Sequence, residues 1–252
     1  MRHLPPLKAI GHALTSVANY SGMALRFGRF WLPVLFVLGL IDSQLAPPTP
    51  AEVETMAIDG TSVLVRLLTA AGSLVAICSI AVSWHRFILR DEVGPAFRLD
   101  RETWRYALNS ILIMVMFLGP VLVLAVITLT LPPAVSILAI PVVLLLGALA
   151  TRLSIKLPAV ALGRKDFSFR DAWAVSEGNF WPIAAVFAIS AIAVFVAILV
   201  LFSIVSVFER VAPTAGPFVA LAVMTVFQVF YTVFNASIFT SLYGFFVERR
   251  DF

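Results

Sequence analysis

The stretch WHRFILRDE, at 84–92, gathers the side chains best suited to chemistry in this chain. His85 is the kind of group that moves protons near neutral pH. Arg86 and Arg90 carry guanidinium forks suited to phosphate or carboxylate, and Asp91 and Glu92 supply carboxylates. Grouped in a cleft, they would make a catalytic cluster. Their setting argues for another role. The stretch closes a long, mostly apolar run, and no second His or acid stands at ligand spacing from His85 within a helix. The other histidines, His3 and His12, lie far away in sequence. Read as the end of a membrane span, Trp84 is an interfacial anchor. Arg86 and Arg90 then snorkel toward lipid headgroups, and His85 sits at the same wet boundary. The alternative keeps His85 as a site residue at the inner mouth of a helix bundle.

Composition favours the membrane. Of 252 residues, 61% are hydrophobic and only 13% charged, with a mean hydropathy of +1.00. A soluble domain is nearer half apolar and a quarter charged, and a chain of this size cannot bury such an excess in one core. The single cysteine, Cys78, excludes an intrachain disulfide and a cysteine metal site. The start of the chain lacks the short apolar core and small-residue cleavage site of a signal peptide, so the expectation is that it is retained.

A spanning helix needs about 20 apolar residues. Six runs qualify, at about 27–45, 61–89, 106–131, 134–157, 180–208 and 217–247. With the N-terminus inside, only Arg66 and Arg210 of the 18 basic residues fall on the outer side. By the positive-inside bias both termini are cytoplasmic. Trp31, Trp84, Trp104, Trp173 and Trp181 all fall near inner span ends, where indole rings serve as anchors. The net charge of +4 is thereby explained by a basic rim at the inner leaflet, and nucleic acid is not expected as a partner.

Outside the spans the chain is short of material for a soluble domain. The expectation is a single membrane domain over 1–252 with an amphipathic segment at 1–26. The acidic, Pro-rich stretch APPTPAEVETMAID (46–59) reads as an outer loop, and LPP (131–133) as a tight outer turn between spans three and four. Leu7, Ile10, Leu14 and Val17 recur at helical spacing against Lys8, His12, Thr15 and Asn19. Phe169, Ala172 and Trp173 form a second apolar edge opposite Arg170, Asp171 and Glu177. Both stretches read as helices in the inner interface, or as helices packed on the end of the bundle. FGRFWLP (27–33) resembles EGNFWPI (177–183), and LDRETWRYAL opens span three. These matches suggest three units of interfacial segment plus hairpin.

Charged groups are nearly absent from the span interiors, which removes weight from proton-coupled transport. Asp42 and Arg66, near outer ends, either pair or reach water. Pro120 and Pro141 are expected to kink spans three and four. Span six is the most polar: Gln228, Tyr231 and Asn235 share a face, expected to point into the bundle. There it would either form interhelical hydrogen bonds or line a polar cavity, with Tyr106, Asn109 and Ser110 as candidate partners. Zincin, nucleophile-elbow and Walker motifs are missing. GRKDFSFR (163–170) is a solvated inner loop or a lipid-headgroup site, with Arg164, Lys165, Arg170, Arg86 and Arg90 as the possible contacts.

Three segments, DAWAVSEGNFW (171–181), WHRF (84–87) and SLYGFFVERR (241–250), resemble a bacterial group of six-span proteins. It comprises YciC-like proteins and the membrane domain found beside some glycerophosphodiester phosphodiesterases. The resemblance covers the whole chain in architecture, without the catalytic domain, and implies topology more than activity. No catalytic residue carries over.

The expectation is therefore an all-α, polytopic membrane helix bundle, with six transmembrane helices and amphipathic interfacial helices on the cytoplasmic side. It is expected to be a non-enzymatic multi-pass protein of the bacterial inner membrane, without cofactor or metal. Its role would lie in membrane or envelope homeostasis or in assembly with other membrane proteins. Its partners would be the phospholipid bilayer, anionic lipids and other membrane proteins. The alternative is a transporter or lipid-handling protein with a cavity lined by span six.

Overall fold

The computed structural model describes residues 2–45, 60–130, 137 and 139–251. The expected outer loop at 46–59 and the turn at 131–133 lie outside the described residues. The described residues are helical and contain no strand. Long apolar runs take this form because a spanning backbone must satisfy its own hydrogen bonds.

Ten helices follow one another among the described residues: α1 (Pro6–Asn19), α2 (Ser21–Gly28), α3 (Trp31–Gln44), α4 (Gly60–Arg90), α5 (Arg101–Thr130), α6 (Ala139–Ser154), α7 (Lys156–Ala161), α8 (Phe169–Val175), α9 (Phe180–Val211) and α10 (Gly216–Phe246). Five are long and apolar enough to cross a membrane, counting α6 with α7 as one span from Ala139 to Ala161. The first expected span differs from a straight rod. The chain bends by 60° between α2 and α3, so a sixth span exists only if that bent pair is one. Alone, α3 has 14 residues, about 21 Å at 1.5 Å per residue, short of the roughly 30 Å hydrocarbon layer. Pro120 lies inside the continuous helix α5. Pro141 falls in the first turn of α6, where no intrahelical N–H is lost and no kink is required.

The core sits at one end. The second half of α4 is buried from Cys78 to His85, whereas in α5 burial is confined to the first half, Thr103 to Ile113. In α6 the buried residues run from Ala148 to Ser154. In α10 most lie between Val229 and Phe245. Antiparallel packing brings these halves together at the basic end of the bundle. Close approach is enforced at Gly147, where a Cβ would collide with Phe187 of α9, and at Gly28, where it would collide with Val229 of α10.

Basic residues clamp this end. The buried Arg152 donates to Ser176 Oγ at 2.9 Å and to the Trp173 carbonyl at 2.8 Å. Its guanidinium lies 3.8 Å from the Trp173 ring centre, which ties α8 to α6. Asn179 accepts from the Leu4 backbone N–H at 2.8 Å and donates to the Arg2 carbonyl at 2.9 Å, which pins the N-terminal segment. α1 packs against α10 and α9, by only part of its predicted face: Ile10 and Val17 reach the core. Ala9, Ile10 and Ala13 are buried, while Leu7 and Leu14 are exposed. Small residues allow the closer helix approach, and this leaves the two leucines outward.

Candidate functional site

WHRFILRDE reaches the surface only at Arg90 and Asp91; its first two residues do not sit at a wet boundary. Trp84 and His85 are both 0% exposed, and this corrects the anchor reading. The Trp84 indole N–H donates to Ser237 Oγ on α10 at 2.8 Å. His85 Nδ1 is 2.8 Å from Thr240 Oγ1, and Nε2 is 3.2 Å from the Tyr106 hydroxyl of α5. A residue three to four positions further along a helix faces the same way, so Ser237, Thr240 and Ser241 present hydroxyls toward α4 and α1. The physical reason is partner supply: the buried indole and imidazole need hydrogen-bonding groups, and the small polar stripe on α10 provides them.

Trp31 is buried as well. Its indole donates to Ser79 Oγ at 3.0 Å, and the Arg98 backbone N–H donates to the same oxygen at 3.2 Å. Trp104, Trp173 and Trp181 are exposed. The five tryptophans therefore divide into two that cement helices and three on the surface.

The remaining charges of the stretch are held by local partners. Arg86 Nη2 lies 2.7 Å from Glu92 Oε2, and Arg86 Nη1 donates to the Ala161 carbonyl at 3.4 Å. Arg98 bridges Glu92 at 3.0 Å and Asp100 at 3.1 Å. The hydrogen bond from Arg86 holds the Glu92 carboxyl below its ordinary value, burial opposes this, and Arg98 adds to it. A carboxyl lowered in this way stabilises the fold above its ordinary pKa and loses that contribution as pH falls. Arg90 is exposed.

Of the other proposed headgroup contacts, Arg164 donates to the Tyr243 hydroxyl at 2.9 Å and to Asp166 at 2.8 Å. These two bonds raise its pKa above the ordinary value. Lys165 and Arg170 are exposed. At the far end, Arg66 donates to the Leu45 carbonyl, and Asp42 lines the same cleft without pairing with it.

Gln228, Tyr231 and Asn235 border a cleft of about 290 Å³ together with Cys78, Tyr106 and Ser110. The face is shared as expected, but the partners differ. Asn235 donates to the Tyr231 carbonyl of its own helix at 2.9 Å, and Asn109 donates to the Arg105 carbonyl at 2.7 Å. Tyr231 is exposed and Gln228 and Asn235 are half-buried, so the face lies on the flank of the bundle.

A second cavity, of about 470 Å³, opens where α1 crosses the ends of α4 and α10. Its floor holds Thr240, Ser241 and Gly244, and its walls hold His12, Asp91 and Arg250. His12 Nδ1 is 2.9 Å from Ser241 Oγ, so His12 and His85 engage adjacent residues of α10. Burial and the nearby Arg250 lower the His12 pKa. A Ser–His pair at this distance has the form of an activated nucleophile. Ser241, however, lies within the regular helix α10, whose backbone N–H groups are engaged in the helix and do not form an oxyanion hole. The arrangement suits binding better than acyl transfer. Sequence reading missed this convergence, because the three segments lie far apart along the chain; the run SIFTSLYG on α10 was the available signal.

Among the described residues no group of three His, Cys, Asp or Glu side chains is placed to hold a metal ion. No family model, curated protein or solved structure matches the chain. Fold and site together define a polytopic helical membrane protein with its polar machinery at one end.

Proposed function

We propose that this chain is a non-enzymatic multi-pass protein of the bacterial inner membrane, with both termini cytoplasmic. It acts through its cytoplasmic end, in membrane or envelope homeostasis or in assembly with another membrane protein. It belongs, on this reading, with the YciC-like six-span group. One observation carries the proposal: the buried core, the hydrogen-bonded polar side chains and nearly all basic residues lie at the same end. The opposite halves of α5 and α9 are thinly packed, with 6% of their most apolar stretches buried. Such halves are suited to lipid, while the built end is suited to recognition. Reporter fusions after Phe252 and within 47–56 test the orientation. A cytoplasmic signal from the first and an outward one from the second is expected; an outward C-terminus overturns the reading.

The second reading, a transporter or lipid-handling protein, is favoured by the cleft that Gln228, Tyr231 and Asn235 border. Among the described residues its lining holds no Asp, Glu, Lys, Arg or His, which speaks for lipid over a charged solute.

A further inference from the structure

The cavity between α1, α4 and α10 has features that the basic rim does not need. Its lining carries both signs of charge, Arg250 with Asp91 and Asp251. Arg250 is also 2.7 Å from Glu248, and Asp251 pairs with Arg2. The Asp91 carboxylate has no ion pair among the described residues. Ser241, 3% exposed, turns its hydroxyl to His12 at this floor. Tyr20, Phe87 and Phe245 supply aromatic walls. The volume lies within the usual range for small-ligand sites, roughly 300–1,000 Å³.

The backbone is also unusual here. Asp91 and Arg249 are the two non-glycine residues with positive φ among those described, at 54° and 57°. Asp91 follows α4, and the Asp91 N–H returns to the Phe87 carbonyl at 2.9 Å. Arg249 follows α10, and the Arg250 N–H returns to the Gly244 carbonyl at 2.9 Å. Both left-handed turns therefore set wall residues of one cavity, Asp91 and Arg250. Such outliers persist where the surroundings over-determine them, and they concentrate at ligand clamps.

We propose that this cavity binds a zwitterionic phosphodiester bearing a primary amine, the chemistry of an ethanolamine phospholipid headgroup or its water-soluble glycerophosphate counterpart. The phosphate meets Arg250, Ser241 Oγ and the His12 ring. The ammonium meets Asp91 beside the aromatic faces, which favour cations. A purely anionic headgroup would be placed against Asp91 and Asp251, and a plain cation against Arg250. The two signs in one lining thus select a ligand that carries both. The proposal goes beyond the orientation and role argued above, and it holds whichever side of the membrane this end occupies.

The test is native mass spectrometry of the full chain in nanodiscs holding equal amounts of ethanolamine and glycerol phospholipids with the same acyl chains. Wild type should retain the ethanolamine lipid preferentially. Asp91→Asn keeps a residue that tolerates the left-handed turn and removes the charge. It should weaken retention about tenfold, the effect of losing one hydrogen bond to a charged group. Gly244→Leu fills the floor; a Cβ there meets only Arg250 Cδ, at 3.8 Å, so the first carbon is accommodated. It should abolish the preference while tryptophan fluorescence and size-exclusion behaviour stay those of wild type. Should Gly244→Leu misfold, Asp91→Asn alone decides. Competition by millimolar glycerophosphoethanolamine identifies a soluble ligand, and its failure beside retained lipid identifies the bilayer lipid. Equal retention of both lipids by wild type, or unchanged retention in Asp91→Asn, overturns the proposal.

Discussion

The hydroxyl of Ser79 accepts from two buried donors at once, the Trp31 indole and the Arg98 backbone N–H. Removing it leaves both without a partner, and each unpaired buried donor costs roughly 1–3 kcal/mol. Ser83, one turn further on, only donates to the Ser79 carbonyl of its own helix. Ser79→Ala should therefore destabilise the protein by several kcal/mol, and Ser83→Ala by well under 1 kcal/mol. Denaturant unfolding in mixed micelles, followed by Trp fluorescence, measures both; equal effects would refute the assignment. Residue roles of this kind were barely legible in the sequence. Hydropathy reports how deep a side chain lies along a span, but not which way it points around the helix. Trp84 at a span end is compatible with anchor and with core alike, and only the Ser237 hydroxyl across the interface decides between them. His85 was misplaced for the same reason.

At the scale of elements, the long runs were readable because the membrane leaves them one backbone solution. α4, α5, α9 and α10 correspond to runs expected from apolar length alone. The break between α2 and α3 had a signal that the apolar count passed over: Pro33 cannot bond the Arg29 carbonyl, so it is tolerated in the first turn of α3 but not inside a helix running on from α2. Phe27 and Trp31, on the two sides of the bend, are both buried in the same core. The polar face of α10 through Asn235 was readable as a stripe, but the hydroxyls that meet α4 lie on another face of the helix. Asn235 bonds within its own helix, whereas Ser237 accepts from the buried Trp84 of α4. Asn235→Leu should then shift stability by no more than about 0.6 kcal/mol, the average for polar contacts inside a bundle. Ser237→Ala should cost roughly 1–3 kcal/mol by stranding the indole N–H. The same unfolding titration separates them, and a larger loss in Asn235→Leu would mean that Asn235, not Ser237, holds the helices together. If lipid handling depends on the cleft, Asn235→Leu would instead lose that function while remaining folded.

Over the whole molecule, the basic residues divide between those that hold the fold and those that face outward. Arg152 and Arg164 belong to the first group, through Ser176, Trp173 and Tyr243. Arg90, Lys165 and Arg170 belong to the second. Composition alone cannot make this division, since the positive-inside bias counts charges without asking what they touch. On the proposed reading the outward group faces an anionic leaflet, where each such residue contributes about 1 kcal/mol. Replacing Arg90, Lys165 and Arg170 together with Gln should reduce the anionic phospholipid that copurifies and weaken its salt dependence, with the melting temperature unchanged. Arg164→Gln should do the reverse: it strands the buried Tyr243 hydroxyl, lowers stability and leaves anionic lipid retention as it was. Neither variant touches Asp91 or Ser241, so preference for an amine-bearing headgroup should persist in both. Native mass spectrometry on the same preparations reads anionic and zwitterionic lipid side by side. Undiminished anionic lipid in the triple variant would remove the outward group from lipid contact and leave assembly with another membrane protein as the use of this end.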